Sequence, residues 1–160
     1  MKEKFISAYM DVATRFSELS SAVRLKVGAI VVKDNRIVSI GYNGTPAGWD
    51  NTCENLVESY DQRDTHFRSS ATYNTETKKY QWLETKPEVL HAERNAIDKL
   101  AKCNEGGAGS VMFVTHSPCL ECAKSIYGAG IAQVYYKTDY RNTNGIDFLR
   151  RCGVEVEKTC

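Results

Sequence analysis

Two short segments, His91-Ala92-Glu93 and Ser117-Pro118-Cys119-Leu120-Glu121-Cys122, each open a predicted helix and each carry strong metal ligands. If they act together, the fold must bring two helix N-termini to one point. Cys119 and Cys122 are three residues apart, so on the first turn of a helix they share a face. His91 adds a third ligand, and no fourth stands at a comparable spacing, as a centre with one open position requires. Glu93 lies two residues past His91, and residues two apart do not share a helix face. Both reach one centre only if His91 sits at the helix lip and Glu93 points in from the first turn.

Charge balance fits zinc. Zn²⁺ with two thiolates and a neutral imidazole carries no net charge, and a bound hydroxide makes the centre negative. Helix starts favour such charge through their free N–H groups and positive dipole end. Coordination keeps both cysteines as thiolates and makes the bound water a hydroxide source near neutral pH. A Cys-x-x-Cys pair also occurs in structural zinc knuckles and redox dithiols. Two further ligands at finger spacing are absent, and nothing before Cys119 looks like a thioredoxin-type unit. His116, at a predicted strand end, suits pocket lining or packing, and His66, in a polar stretch, suits solvent. Glu121 lies between the two cysteines and is expected to face away.

The chain has 160 residues, 42% hydrophobic and 26% charged, which is ordinary for one globular domain with a real core. Residues 1–160 are taken as that domain, with a long insertion at about 45–88. A net charge of +1 gives no basic footprint, which argues against stable nucleic-acid binding, whereas a small anion needs only a local cluster of cations. The first eleven residues are charged and lack an apolar signal core, and no run approaches membrane-spanning length. Cys53, Cys103, Cys152 and Cys160 are scattered, which suits reduced thiols in the cytoplasm.

Phe5, Tyr9, Val12, Phe16 and Leu19 recur at helical steps and predict an amphipathic helix buried on that face. Val27–Val32 and Ile37–Ile40 flank Asp34-Asn35 and predict a β-hairpin. Helix 91–103, strand 111–114, helix 119–129, strand 134–136, helix 146–151 and strand 154–156 then alternate, which implies parallel pairing with helices on both faces. The expected fold is three-layer α/β/α, with a mixed five-stranded sheet in which the β1-β2 hairpin precedes the βα units. In such sheets ligands gather at the strand carboxyl ends, where both ligand segments fall. Residues 55–62 are expected to form a short helix, and 63–79 is polar and unpatterned. A loop of that length inside a domain is usually functional or mobile.

Val27-Gly28-Ala29, Gly41-Tyr42-Asn43-Gly44-Thr45-Pro46-Ala47-Gly48, His91-Ala92-Glu93-Arg94-Asn95-Ala96 and Ser117-Pro118-Cys119-Leu120-Glu121-Cys122-Ala123 together resemble the deoxycytidylate (dCMP) deaminases of the zinc-dependent cytidine deaminase superfamily. His-x-Glu followed by Pro-Cys-x-x-Cys is the known signature of zinc nucleobase deaminases at large. Gly-Tyr-Asn-Gly-x-Pro and the long insertion point to dCMP. The resemblance implies a cytidine deaminase-like fold, zinc on His91, Cys119 and Cys122, and Glu93 as proton shuttle. It implies substrate contacts from Asn43, Ala92, Ser117 and Tyr140. It also implies conversion of dCMP to dUMP for thymidylate synthesis, a hexamer, and regulation by dCTP as activator and dTTP as inhibitor. Mg²⁺ would accompany such a triphosphate, and Gly41, Tyr42, Asn43 and Gly44 would form part of the effector site. Arg94 stands where an apolar residue is commoner in the family, and suits a neighbouring subunit or solvent. For the second zinc of some phage members, only Cys53 and His66 stand as ligands.

Read without the family, Asn43 between two glycines fits either close approach to a ligand or an ordinary Asn-Gly turn. Tyr140 fits a packed aromatic as well as a substrate contact. Arg24, Lys26, Lys137 and Arg141 are the cations placed to bracket a 5′-phosphate, with Arg141 the first choice. Two other functions share parts of the pattern. One is a deaminase acting on a base in single-stranded nucleic acid, with Trp49, Tyr73, Tyr80 and Trp82 available for stacking. The other is a non-catalytic zinc-containing nucleotide-binding module, which would have no use for Glu93.

Overall fold

In a computed structural model, which describes residues 1–65 and 70–159, the expected hairpin forms from β1 (Gly28–Lys33) and β2 (Arg36–Tyr42). Asp34 and Asn35 both take left-handed backbone angles (φ 50° and 59°), the conformation that lets a two-residue turn match the twist of its strands. β1 also pairs antiparallel with β6 (Val111–His116). β6, β7 (Gln133–Thr138) and β8 (Glu155–Lys158) then run parallel, giving a five-stranded mixed sheet in the order β2-β1-β6-β7-β8. The alternation of side chains divides the core in two. Ile30, Val32, Phe113 and Tyr135 face the helix α1 (Glu3–Ser17). Ala29, Val31, Met112, Val114, Val134 and Tyr136 face the opposite layer. That layer holds α2 (Ala92–Leu100), α3 (Leu120–Gly128) and α4 (Asn144–Arg151). Full burial of each large side chain contributes roughly 1.5–3 kcal/mol, so both faces of the central strands are driven inward.

The buried line of α1 differs from the expected one. Ile6, Met10, Ala13 and Ser17 are innermost, Tyr9, Val12 and Phe16 flank them, and Phe5 and Leu19 are 43% and 60% exposed. Close approach explains the shift. A β-carbon on Gly28 would stand 2.1 Å from the Ala13 carbonyl oxygen, so α1 rests directly on β1 and only small residues fit that line. The bulky residues are displaced to its edges.

The insertion also departs from expectation. Residues 55–62 form no α-helix; most of them belong to β3 (Glu54–Ser59), which pairs antiparallel with β5 (Lys79–Thr85), itself paired with β4 (Thr72–Asn74). Part of the stretch taken as unpatterned is thus a hairpin, with Tyr73 opposite Tyr80 and rings 5.0 Å apart. Pairing with residues more than twenty positions away decided the state of β3, and a local window does not register it. His66, one of the two residues considered for a second metal, lies outside the described residues. Cys53 is fully buried beside Ala22 and Val89, with the Ser21 hydroxyl 3.3 Å from its sulfur. No helix of the described residues is long and apolar enough to cross a membrane.

Candidate active site

The parallel strands β6 and β7 end on one rim of the sheet, and the antiparallel register brings the end of β2 and the start of β1 to the same rim. There the Gly28 N–H donates to the Thr115 hydroxyl (3.1 Å) and the Asn43 N–H to the Val27 carbonyl (3.1 Å). His91 and Cys119 occupy the N-cap positions of α2 and α3, both with extended backbone angles, which turns their side chains out from the helix lips. Cys122 follows on the first turn of α3. The ligand atoms of His91, Cys119 and Cys122 all lie within 4.8 Å of one another. The Nδ1 atom of His91 stands 3.3 Å from the Cys122 sulfur and 3.6 Å from that of Cys119. One imidazole nitrogen and two sulfurs, close enough to share one ion, are a donor set suited to zinc. Among the described residues no other cluster of this kind occurs.

Glu93 enters from the first turn of α2 and is only 4% exposed. Burial pushes its carboxyl up to about 6, against the opposing pull of hydrogen bonding and of His91. The two thiols split in opposite directions. Hydrogen bonds from Cys122 and His91 bring Cys119 down to about 3, while the hydrogen bond to Cys119 and burial push Cys122 up. The thiolate is therefore favoured on Cys119 over Cys122. A bound divalent ion would hold both as thiolates. His91 is raised, chiefly by its hydrogen bond with Cys119, and the Arg141 charge opposes that shift, which puts this guanidinium within electrostatic range of the centre.

His91, Glu93 and Cys119 line a cavity of about 300 Å³, at the small end of ligand pockets. Its walls include Asn43, Ala92, Ser117, Tyr140 and Arg141, so every residue considered for substrate contact lines it, together with His116. Burial lowers the His116 pKa, which favours the neutral imidazole. Several of these groups also hold one another. Asn43 accepts from the Val27 N–H through Oδ1 and donates to the Leu25 carbonyl through Nδ2, both at 2.8 Å. Its amide keeps one lone pair and one N–H for a ligand. The Ser117 hydroxyl accepts from the Tyr140 N–H (2.8 Å), and Arg141 stacks over the Tyr140 ring at 5.1 Å.

Other candidates lie elsewhere. Gly41, Tyr42 and Gly44 do not line this cavity. Gly41 is packed against α2, where a β-carbon would stand 2.1 Å from the Ala92 carbonyl oxygen; Tyr42 accepts from Asn95 (3.0 Å), and Gly44 bridges to Leu90. Arg94 is exposed and joins Asp98 and Ser125, a link between α2 and α3. Glu121 points away and pairs with Lys124. Of the cations weighed for a phosphate, Arg24 and Arg141 line the cavity; Lys26 and Lys137 do not. Glu54, Ser70, Thr85 and Val89, from the insertion and the segment after it, complete the wall. No local motif marks them, because only the docking of the insertion brings them to the rim.

The model of the cytidine and deoxycytidylate deaminase zinc-binding region matches residues 3–138. The chain belongs to this family and is a hydrolytic deaminase. It is 33% identical over 170 residues to the deoxycytidylate deaminase of Enterobacteria phage T4, covering 94% of this chain and 87% of the phage protein. It is 34% identical over 139 residues to the deoxycytidylate deaminase of Homo sapiens, covering 82% and 63% of the two chains. Among solved structures, the dCMP deaminase of cyanophage S-TIM5 in complex with dCMP and dUMP matches with a TM-score of 0.79 and 44% identity, over 99% of both chains. The expected fold class and family thus both hold, and a zinc-binding region agrees with the His91, Cys119 and Cys122 cluster.

Proposed function

We propose that the chain deaminates dCMP to dUMP and ammonia in a zinc-dependent reaction. The observation that carries this reading is Glu93, a buried carboxylate that lines a cavity beside a cluster of three zinc-type donors, with two arginines in the cavity wall. His91, Cys119 and Cys122 would hold a zinc ion, which would supply a water acidified to near neutral pH. Glu93, with its carboxyl near 6, is matched to proton transfer at physiological pH. It takes a proton from the attacking water and delivers it to N3 as C4 of the cytosine becomes tetrahedral. It then moves the remaining hydroxyl proton to the amine, which leaves as ammonia. Asn43 and Tyr140 flank the sugar, and the backbone of Ala92 and the rim at Ser117 hold the base edge. Arg141, stacked on Tyr140, meets the phosphate.

Regulation by dCTP as activator and dTTP as inhibitor, with Mg²⁺ on the triphosphate, belongs to the same proposal, as do a hexameric assembly and a cytoplasmic setting. What supports the effector site is the likeness of Gly41–Gly48 to the family's effector segment. Here that segment is half-buried from Tyr42 to Pro46 and exposed from Ala47 onward. A cavity of this size, walled by the insertion, favours a mononucleotide over a base presented in a strand.

The test is ammonia release by zinc-quantified protein offered dCMP, CMP, deoxycytidine or a cytosine-containing oligonucleotide. Turnover on dCMP is expected, and Glu93→Gln should retain zinc while losing roughly 10²–10⁴-fold in rate. Turnover on the oligonucleotide alone would keep the chemistry and overturn the substrate.

A further inference from the structure

β2 is an edge strand of the five-stranded sheet, and no described strand covers its outer side. An edge leaves carbonyls without ladder partners. Here α2 supplies them. Asn95 and Lys99, four residues apart, share one side of that helix. The Asn95 amide donates to the Tyr42 carbonyl (3.0 Å) and the Lys99 ammonium to the Ile40 carbonyl (2.9 Å). The Ser39 hydroxyl adds a bond in the other direction, donating to the Ala96 carbonyl at 2.7 Å. Helix and strand are thus stitched together by side chains rather than by a ladder.

One of these ties differs from the others in what it encloses. Just past β2, the Gly44 N–H donates to the Leu90 carbonyl (3.1 Å) and the Leu90 N–H to the Gly44 carbonyl (2.9 Å). Tyr42–Asn95 and Gly44–Leu90 are therefore two rungs between the same two segments. Asn43 lies between them on one segment, and His91, Ala92 and Glu93 lie between them on the other. All four of those residues line the cavity, whereas Asn95 does not. Of the two rungs, only the Asn95 one is made by a side chain. The Ser39 and Lys99 ties fall outside the enclosed loop.

We propose that Asn95 is a positioning residue for the deamination. By closing this clamp through the Tyr42 carbonyl, it fixes the separation between Asn43 and the His91–Glu93 segment. A nucleotide seated on Asn43 then presents its pyrimidine to Glu93 within reach of proton transfer, which needs about 3 Å. The clamp rests on the deaminase reading for its reaction, but the coupling of Asn95 to Asn43 is read from binding alone.

The experiment compares zinc-loaded Asn95→Leu with Ser39→Ala and Lys99→Met, which remove ties outside the clamp. All three should keep one zinc per chain and melt lower by roughly 2–4 °C, as for one hydrogen bond. Only Asn95→Leu should also lose kcat for dCMP, by roughly tenfold or more, because a misplacement of about 1 Å can cost 10²-fold. Calorimetric titration with dUMP supplies the second readout. Asn95→Leu should weaken dUMP roughly threefold to tenfold in the wild-type background. In an Asn43→Ala background the loss should shrink to less than about twofold, since residues that act as one unit are not additive. Should Asn95→Leu fail to fold, Asn95→Asp, which keeps the side chain's shape and loses the donor, takes its place. Should the Asn43→Ala background fail, the three kcat values decide. Equal kcat losses in all three variants would make Asn95 one structural tie among several and overturn the proposal. So would equal dUMP losses in the two backgrounds, or an Asn95→Leu chain with wild-type kcat. A wild-type chain that releases no ammonia from dCMP, yet shows the dUMP coupling, would overturn the reaction and leave the clamp standing. One that shows neither would overturn both.

Discussion

Replacing Gly145 by alanine should damage the metal centre from outside it. Gly145 lies in the first turn of α4, and a β-carbon there would stand 2.0 Å from the Pro118 carbonyl oxygen and 2.9 Å from the carbonyl carbon and oxygen of Cys119. Carbon–oxygen contacts settle near 3.3 Å, so α4 and the Pro118-Cys119 segment must part by roughly 1.3 Å. Every atom met is backbone, so no side-chain rotation relieves the contact. Metal–ligand distances tolerate only about 0.2 Å, and Cys119 is the residue being pushed. Overpacking costs roughly 1–3 kcal/mol, and this contact belongs at the upper end. At about 2–4 °C per kcal/mol for a chain of this size, the melting temperature should fall by roughly 6–12 °C. Zinc retained after dialysis at limiting free metal should fall as well. Gly128→Ala is the control. Nothing lies within 4 Å of its added methyl at the end of α3, so it should gain up to about 1 kcal/mol and melt slightly higher. Calorimetric melting of both variants, with and without a chelator, alongside metal analysis, decides the matter. A Gly145→Ala chain that melts with the wild type and keeps one zinc per chain would refute the reasoning.

The Glu93 carboxyl stands near 6 in the fold against an ordinary 4.5. The folded metal-free chain therefore favours the protonated form, and this contribution is complete below pH 4.5 and lost as pH rises through 6. The shift corresponds to about 2 kcal/mol, so chelated Glu93→Gln should be more stable than wild type at pH 7 by up to that amount, with the gap closing below pH 4.5. Urea unfolding at the two pH values reads the difference, and a less stable variant at pH 7 would contradict the sign. Cys119→Ser should bind less than one zinc per chain and melt lower, because metal binding is coupled to folding; full zinc occupancy by metal analysis would remove Cys119 from the ligand set. A hexamer should sediment far above the 18.0 kDa of one chain, and a stable monomer would remove an effector site shared between subunits.

The second half of the chain was legible because its signals are local. Asp34-Asn35, the alternating helices and strands after residue 91, and the spacing of His91, Glu93, Cys119 and Cys122 each specify geometry within a few residues. What escaped local reading depends on distant partners. The inner line of α1 is set by Gly28 rather than by the helix's own bulk. β3 exists because β5 lies beside it, although Tyr80 and Trp82 alternate visibly with polar residues in Lys79–Thr85. Arg24 was recognisable as a cation but not as a held one, since Glu54, which accepts from its backbone N–H, and Thr85, which accepts from its guanidinium, are some thirty and sixty residues away.

The local costs in this fold converge on one cavity. None of the four described α-helices has a side-chain capping hydrogen bond at its N-terminus, and a missing cap forgoes roughly 0.5–2 kcal/mol at each, but at α2 and α3 the cap positions hold metal-type ligands. A serine or asparagine at either position would restore the cap by committing its oxygen to the helix's own N–H groups. His91 and Cys119 leave those groups open and turn their ligand atoms toward a common centre instead. The buried Glu93, and the Arg24 and Arg141 guanidiniums, which have no acidic partner among the described residues, add further cost along the same lining. Among the described residues, no buried side-chain nitrogen or oxygen lacks a partner. Buried charge and unpaired cations gathered at one cavity are costs that a bound ligand can offset. Here a cation on His91, Cys119 and Cys122 and an anion beside Arg24 and Arg141 would offset these penalties together, so zinc and a nucleoside monophosphate should each bind more tightly in the presence of the other. Calorimetric titration of dUMP into zinc-loaded and chelated chain reads that coupling, and equal affinities would show that the two ends of the cavity are energetically independent.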